Sequence, residues 1–186
     1  MKRSILIIVL VAIAIFSCDR RESARENLQN SISEFNKKQT NLEVVTYFPE
    51  AYTEIQTDSL ISNTFKVSIK NYAVMDSQIL VSSEADDKKT KLNYHRVFES
   101  EIRIDLASKN IFDAKINAEA FKSASSSEFW DNATLEHVWV NQEASNTSEV
   151  NLGLSFINPN SNAYKLYELV VDTNGTQYIN LIEEHS

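Results

Sequence analysis

One thiol, three imidazoles and three close pairs of carboxylates are the groups in this 186-residue chain that could do chemistry. Cys18 is the single cysteine, so no resolving thiol and no disulfide partner exist within the chain. His95, His137 and His185 are scattered, and none stands at the short spacing with Cys, Asp or Glu that marks a zinc site. His137 alternates with Leu135 and Trp139 and reads as a partly buried strand residue, His95 starts a strand beside Tyr94 and Arg96, and His185 lies one residue from the chain's end. Asp86-Asp87, Glu99 with Glu101, and Glu183-Glu184 supply the acids of a hydrolase, whose mechanism depends on carboxylate separation and not on composition. Glu99 and Glu101 fall on the same solvated side of one strand, where the expectation is lysines opposite them on the next strand.

The chain holds only Gly153 and Gly175, which leaves no G-x-S-x-G, P-loop or dinucleotide-binding glycine pattern. No cofactor and no metal is therefore expected. In "EFWDNATLEHVWV", Trp130 and Trp139 are the candidate ligand-binding residues, an aromatic platform for a sugar or peptide, with the core as the competing place for both rings. The triplet Asp58-Ser59-Leu60 resembles the short O-glycosylation motif of Bacteroidota, with Ser59 as acceptor.

The chemistry of Cys18 is explained by what precedes it. Lys2 and Arg3 lead into the uninterrupted apolar run Ile5 to Phe16, 12 residues long, and Ser17 stands directly before the thiol. A bilayer core of ~30 Å needs about 20 helical residues, so this run is a signal peptide and not a lasting transmembrane helix. Ile15-Phe16-Ser17-Cys18 looks like a bacterial lipobox, with the bulky Phe16 departing from the usual small residue in second place. The likeness implies that residues 1–17 are removed and that Cys18 becomes an acylated, palmitate-type N-terminus. Each buried CH₂ contributes ~0.8 kcal/mol, so two or three acyl chains hold a protein durably where one does not.

Removing residues 1–17 takes away two cations and moves the formal charge from −8 to −10. Such a chain does not displace counterions from phosphates, which excludes nucleic acid as a partner. The remaining 169 residues suffice for one hydrophobic core, as a domain without disulfides requires.

In residues 18–40, Ala24, Leu28, Ile32 and Phe35 recur at helical spacing on a charged segment, which predicts a tether with one amphipathic helix that docks on the folded body. From residue 41 to 186 the period changes to alternation, the mark of a single β-rich domain. "YHRVFESEIRIDL" sets Phe98, Ile102, Ile104 and Leu106 against Glu99, Glu101, Arg103 and Asp105; "TFKVSIKNY" and "EVNLGLSF" alternate in the same way. Shorter strands are predicted at 44–48, 51–56, 78–81, 111–116, 135–140, 165–171 and 177–182. Asn174-Gly175 predicts a type I′ hairpin, Ser108-Lys109-Asn110 a second reversal, "EADDKKTK" a solvated loop, and "AEAFKSASSSEFWDNA" a short helix or irregular loop. The fold class expected is mainly β: an antiparallel β-sandwich or partly open barrel with an N-terminal helix.

"DSLISNTFKVSIKNYAVMDSQILV", "YHRVFESEIRIDLASKNIFDAKINAEAF" and "YELVVDTNGTQYINL" together resemble a lipoprotein family of Bacteroidota defined by a domain of unknown function, over roughly residues 40 to 183. The resemblance implies an exported, lipid-anchored, β-rich domain and carries no catalytic residues over. In such organisms an acidic run after the cysteine directs export to the cell surface. Here Arg20 and Arg21 interrupt that run, which favours the periplasmic side of the outer membrane over the surface. The functional expectation is a non-enzymatic binding or accessory role in the cell envelope, with the membrane engaged through the N-terminal lipid and an envelope protein or glycan as partner. The alternatives are a carbohydrate- or peptide-binding lipoprotein using exposed aromatics and, less favoured, a hydrolase.

Overall fold

The computed structural model describes residues 19–38, 42–86, 89–124, 127–161 and 163–185; Cys18 and the segment before it lie outside them. The chain divides into two units, residues 1–42 with 86–89, and residues 43–85 with 90–186.

The described part of the first unit is chiefly helix α1, Asp19–Lys38. Leu28, Ile32 and Phe35 lie on this helix at the spacing read from the sequence. Among the described residues no helix is long and apolar enough to cross a membrane.

The second unit is mainly β, built from two sheets that do not close into a barrel; the second sheet is antiparallel throughout, and in the first β2 pairs antiparallel with β3 and β5 with β4. Strands β1 (Leu42–Phe48), β2 (Glu54–Ile61), β3 (Phe65–Asp86), β4 (Lys89–Leu106) and β5 (Lys109–Ile116) form the first sheet, ordered β1-β4-β3-β2 with β5 also on β4. Strands β6 (Thr134–Val140), β7 (Glu149–Ile157), β8 (Tyr164–Asp172) and β9 (Gln177–His185) form the second, in sequence order. Between them come helix α2 (Ala118–Ala124) and a 3-10 turn at Glu128–Asn132, the short helix the sequence left open against a loop.

Alternation decides what faces inward. Phe65, Val67 and Ile69 of β3, Ile102 and Ile104 of β4, and Val150, Leu152, Leu154 and Phe156 of β7 are all at most 1% exposed and belong to one core cluster shared by both sheets. Each such side chain taken out of water contributes about 1.5–3 kcal/mol. Rings of Phe121 from α2, Trp130 from the 3-10 turn, Phe156 and Tyr167 pack with centroids 4.6 to 6.2 Å apart.

A buried amide joins the two sheets. Asn71 on β3 donates to the carbonyl of Val138 at 3.2 Å and accepts its N–H at 3.1 Å. Thr134 Oγ1 accepts the N–H of Phe98 on β4 at 2.7 Å. The outer edge of β6 is thereby bonded laterally to the first sheet, so backbone groups that would otherwise be buried unpaired find partners.

The hairpins differ from expectation in instructive ways. The type I′ signature sits at Ser62 and Asn63, with φ 51° and 53° and Thr64 N–H bonded to Ile61 C=O at 2.9 Å. Asn174-Gly175 does reverse the chain, but Asn174 keeps a negative φ and only Gly175, at φ 81°, is left-handed. The Asp172 carboxylate accepts the N–H groups of Asn174 at 2.8 Å and Thr176 at 2.9 Å, which selects a turn with Asp first and Gly fourth. A Cβ on Gly175 would also overlap the Ile111 carbonyl oxygen. The reversal after Leu106 turns at Ala107, φ 56°, and Ser108, earlier than predicted. The strands predicted at 64–72 and 78–81 are, from Phe65 on, parts of one 22-residue strand. Strands β3 and β4 also run into "EADDKKTK" as far as Asp86 and from Lys89, with Glu84, Lys89 and Lys91 exposed.

Candidate functional site

The outer face of the second sheet is built by an irregularity in β6. Leu135 pairs with Phe156 but His137 pairs with Ser155, so Glu136 is an extra residue and the strand is bulged there. The bulge reverses the alternation read from sequence. Leu135 points to the core at 1% exposure, whereas His137 and Trp139, which simple alternation placed on Leu135's side, lie on the opposite face; Val138 goes inward instead.

Trp139 is directly across from Gly153, and Gly153 from Glu168, and Glu168 from Asn180. The four form one row across the sheet. A Cβ at residue 153 would overlap Cε2 and Cζ2 of the indole, so the ring rests on bare backbone. Glycine is there because the ring needs the space a side chain would fill. Trp139 remains 37% exposed, and the His137 ring stacks nearly parallel to it, 5.9 Å away at 11°.

Next to the ring is a recess of about 140 Å³ lined by Trp139, Asn141, Gly153, Leu166, Glu168 and Ile182. Glu168 is half-buried and its carboxylate has no hydrogen-bond or ion-pair partner among the described residues. Asn141 Oδ1 accepts the Ala144 N–H at 3.3 Å, which leaves its Nδ2 to donate elsewhere. A flat apolar surface, an uncommitted acceptor and an uncommitted donor thus share one small concavity.

The other candidates are placed as follows. Trp130 is 3% exposed within the aromatic cluster, so the two indoles are not brought together and no joint platform forms. Its ring faces a core that alternation alone could not assign to it, because the residue sits on a 3-10 turn and not on a strand. Ser59 is on β2, half-buried, and Cys18 lies outside the described residues.

Glu99 and Glu101 on β4 both accept from the Tyr72 hydroxyl, at 3.2 and 3.3 Å. Glu99 also pairs with Lys115 on β5 and accepts from Asn117 at 3.3 Å. The expected lysine on the next strand is therefore there. Burial pushes the Tyr72 phenol up, and the hydrogen bond to Glu99 raises Lys115. Asp86 and Glu183-Glu184 are likewise strand residues, and Asp87 lies outside the described residues; Tyr164 donates to Glu183 and Lys165 pairs with Glu184.

Among the histidines, His95 Nδ1 donates to the Arg96 carbonyl at 2.7 Å between the rings of Phe48 and Phe98, and His185 stacks on Tyr164. Among the described residues no group of three His, Cys, Asp or Glu could hold a metal ion. Neither a family model nor a curated protein matches the chain.

Sequence reasoning missed Gly153, Asn141 and Glu168. The available signal was a lone glycine inside a strand in a chain with only two, which points to close approach from above.

Proposed function

We propose that this chain is a membrane-tethered, non-enzymatic binding module of the bacterial cell envelope: a β-sandwich carried by acyl groups on Cys18, with helix α1 as spacer. The observation that carries the binding reading is the indole of Trp139 resting on Gly153 beside the partnerless, half-buried carboxylate of Glu168. A ligand that donates hydrogen bonds would give this carboxylate the partner that the protein does not. The pair Glu99 and Glu101 supports the same reading, since Glu99 is tied up by a phenol, an amide and a lysine.

The anchor reading rests on the order of charge, apolar run, small residue and cysteine at residues 2–18, and the kinship with Bacteroidota lipoproteins on the strand segments quoted above. Both parts are testable. Metabolic labelling with a fatty-acid analogue should mark the wild type and not Cys18→Ala, and membrane association should fall with it; label retained by the variant refutes the anchor. Immobilised full chain should retain envelope material from the cells that make it, and Trp139→Ala should retain less. Equal retention by both refutes the assignment of the binding face.

A further inference from the structure

We infer that the recess beside Trp139 takes a neutral saccharide, with one pyranose ring lying on the indole; this rests on the binding reading above and names its ligand class. The C–H face of a pyranose is flat and apolar and fits an aromatic ring open on one side. Trp139 offers such a ring: Gly153 supports it, more than a third of the residue stays exposed, and it lines the recess.

The polar groups around it select among ligands. Glu168 is an acceptor without a partner, while the Asn141 amide and the exposed Asn180, directly across from Glu168, can donate. A sugar hydroxyl both donates and accepts, so neighbouring hydroxyls satisfy the carboxylate and the amides together. A lysine or arginine side chain would also stack on an indole beside a carboxylate, but it only donates and leaves the amide donors unmet. Position matters too: extended peptides bind β proteins by adding to an open strand edge, and this recess lies on a sheet face spanning β6 to β9, with the β6 edge already bonded to Asn71.

Charge narrows the class further. Glu136, Glu168 and Glu183 belong to this face in a chain of formal charge −8, so sulfated or uronic acid polymers are repelled.

The two tryptophans supply a built-in control. Full chain labelled with 5-fluorotryptophan and held in detergent gives one signal from buried Trp130 and one from exposed Trp139, assigned by Trp139→Phe. Titration with hexaoses of glucose (α-1,4 and β-1,4), mannose and N-acetylglucosamine should move the Trp139 signal saturably with at least one of them, and leave Trp130 in place. Glu168→Gln should weaken that binding about tenfold, the effect of removing a charge-assisted hydrogen bond. Dextran sulfate should produce no shift. If an arginine-containing peptide shifts the signal and none of the hexaoses does, the saccharide assignment is overturned. It is equally overturned if Glu168→Gln binds a hexaose as tightly as the wild type. Acid hydrolysis followed by sugar analysis separates the two levels: envelope material retained through Trp139 that yields no sugar refutes the saccharide and leaves the binding face standing.

Discussion

The outer faces of the two sheets are both polar, yet they differ in how their polar groups are satisfied. On the first sheet Lys70 pairs with Glu54, Lys115 with Glu99 and Arg103 with Asp105, and Tyr72 bridges the acids of β4. On the second, the central row holds an indole, a bare glycine and a carboxylate without a partner. The comparison teaches that charge density is a poor guide to a site. The face with more ion pairs spends its charges on itself, whereas the face with fewer leaves one acceptor waiting.

The largest expected effect separates the two indoles. Trp130→Ala opens a cavity in the aromatic cluster and should lower unfolding free energy by about 3–5 kcal/mol in urea titration. Trp139→Ala should cost only about 1–2 kcal/mol, in proportion to its smaller buried area, while removing the ligand response. If the two variants lose equal stability, Trp139 is a core residue and the distinction between the faces fails.

Gly153→Ala tests the support under the ring. Its methyl displaces the indole while improving strand propensity, so stability should move by less than about 1 kcal/mol and tryptophan emission should shift to longer wavelength. Unchanged emission together with unchanged binding would show that the ring does not depend on the bare backbone.

Neutralising one acid on each face sharpens the contrast. Glu99→Gln loses an ion pair with a half-exposed lysine and should cost no more than about 1 kcal/mol. Glu168→Gln removes a half-buried charge with no protein partner, so its stability should stay level or rise slightly. A larger loss at Glu168 than at Glu99 would mean that the carboxylate has a structural partner.

The smallest effect is expected at the β8–β9 turn. Backbone N–H groups of Thr176 and Asn174 hold the Asp172 carboxyl below the usual carboxylate range. A depressed folded-state value gives stability that is fully present above the unfolded carboxylate range and is lost as pH falls through the folded one, from about pH 5 downward. Thermal midpoints of Asp172→Ala should therefore fall less steeply with acid than those of the wild type. Parallel acid slopes would exclude Asp172 as a contributor.

Much of the β architecture was legible because alternation is local. "EVNLGLSF" and "TFKVSIK" placed Val150 to Phe156 and Phe65 to Ile69 in the core without knowledge of their neighbours. What was not legible depends on partners distant in sequence. The bulge at Glu136, which turns His137 and Trp139 outward, is defined only against β7, and a period of two has no way to announce it. Asn174-Gly175 carried the strongest hairpin signal, but Asp172 two residues earlier imposed another turn geometry through its carboxylate. Asn71 read as one polar residue among others on a strand; its burial follows from the Val138 backbone 67 residues away. The site was half visible: Trp139 was singled out by type, whereas Glu168 and Asn141 had no distinguishing neighbours in the chain.

The clasp of Asn71 on Val138 has a further consequence for molecules crowded together. A sheet grows by recruiting foreign strands along its rims, and one rim of the second sheet is already locked to the protein's own body. Recruitment through that sheet is left to β9, all of whose residues are exposed. Two copies meeting β9 to β9 would use up that free edge.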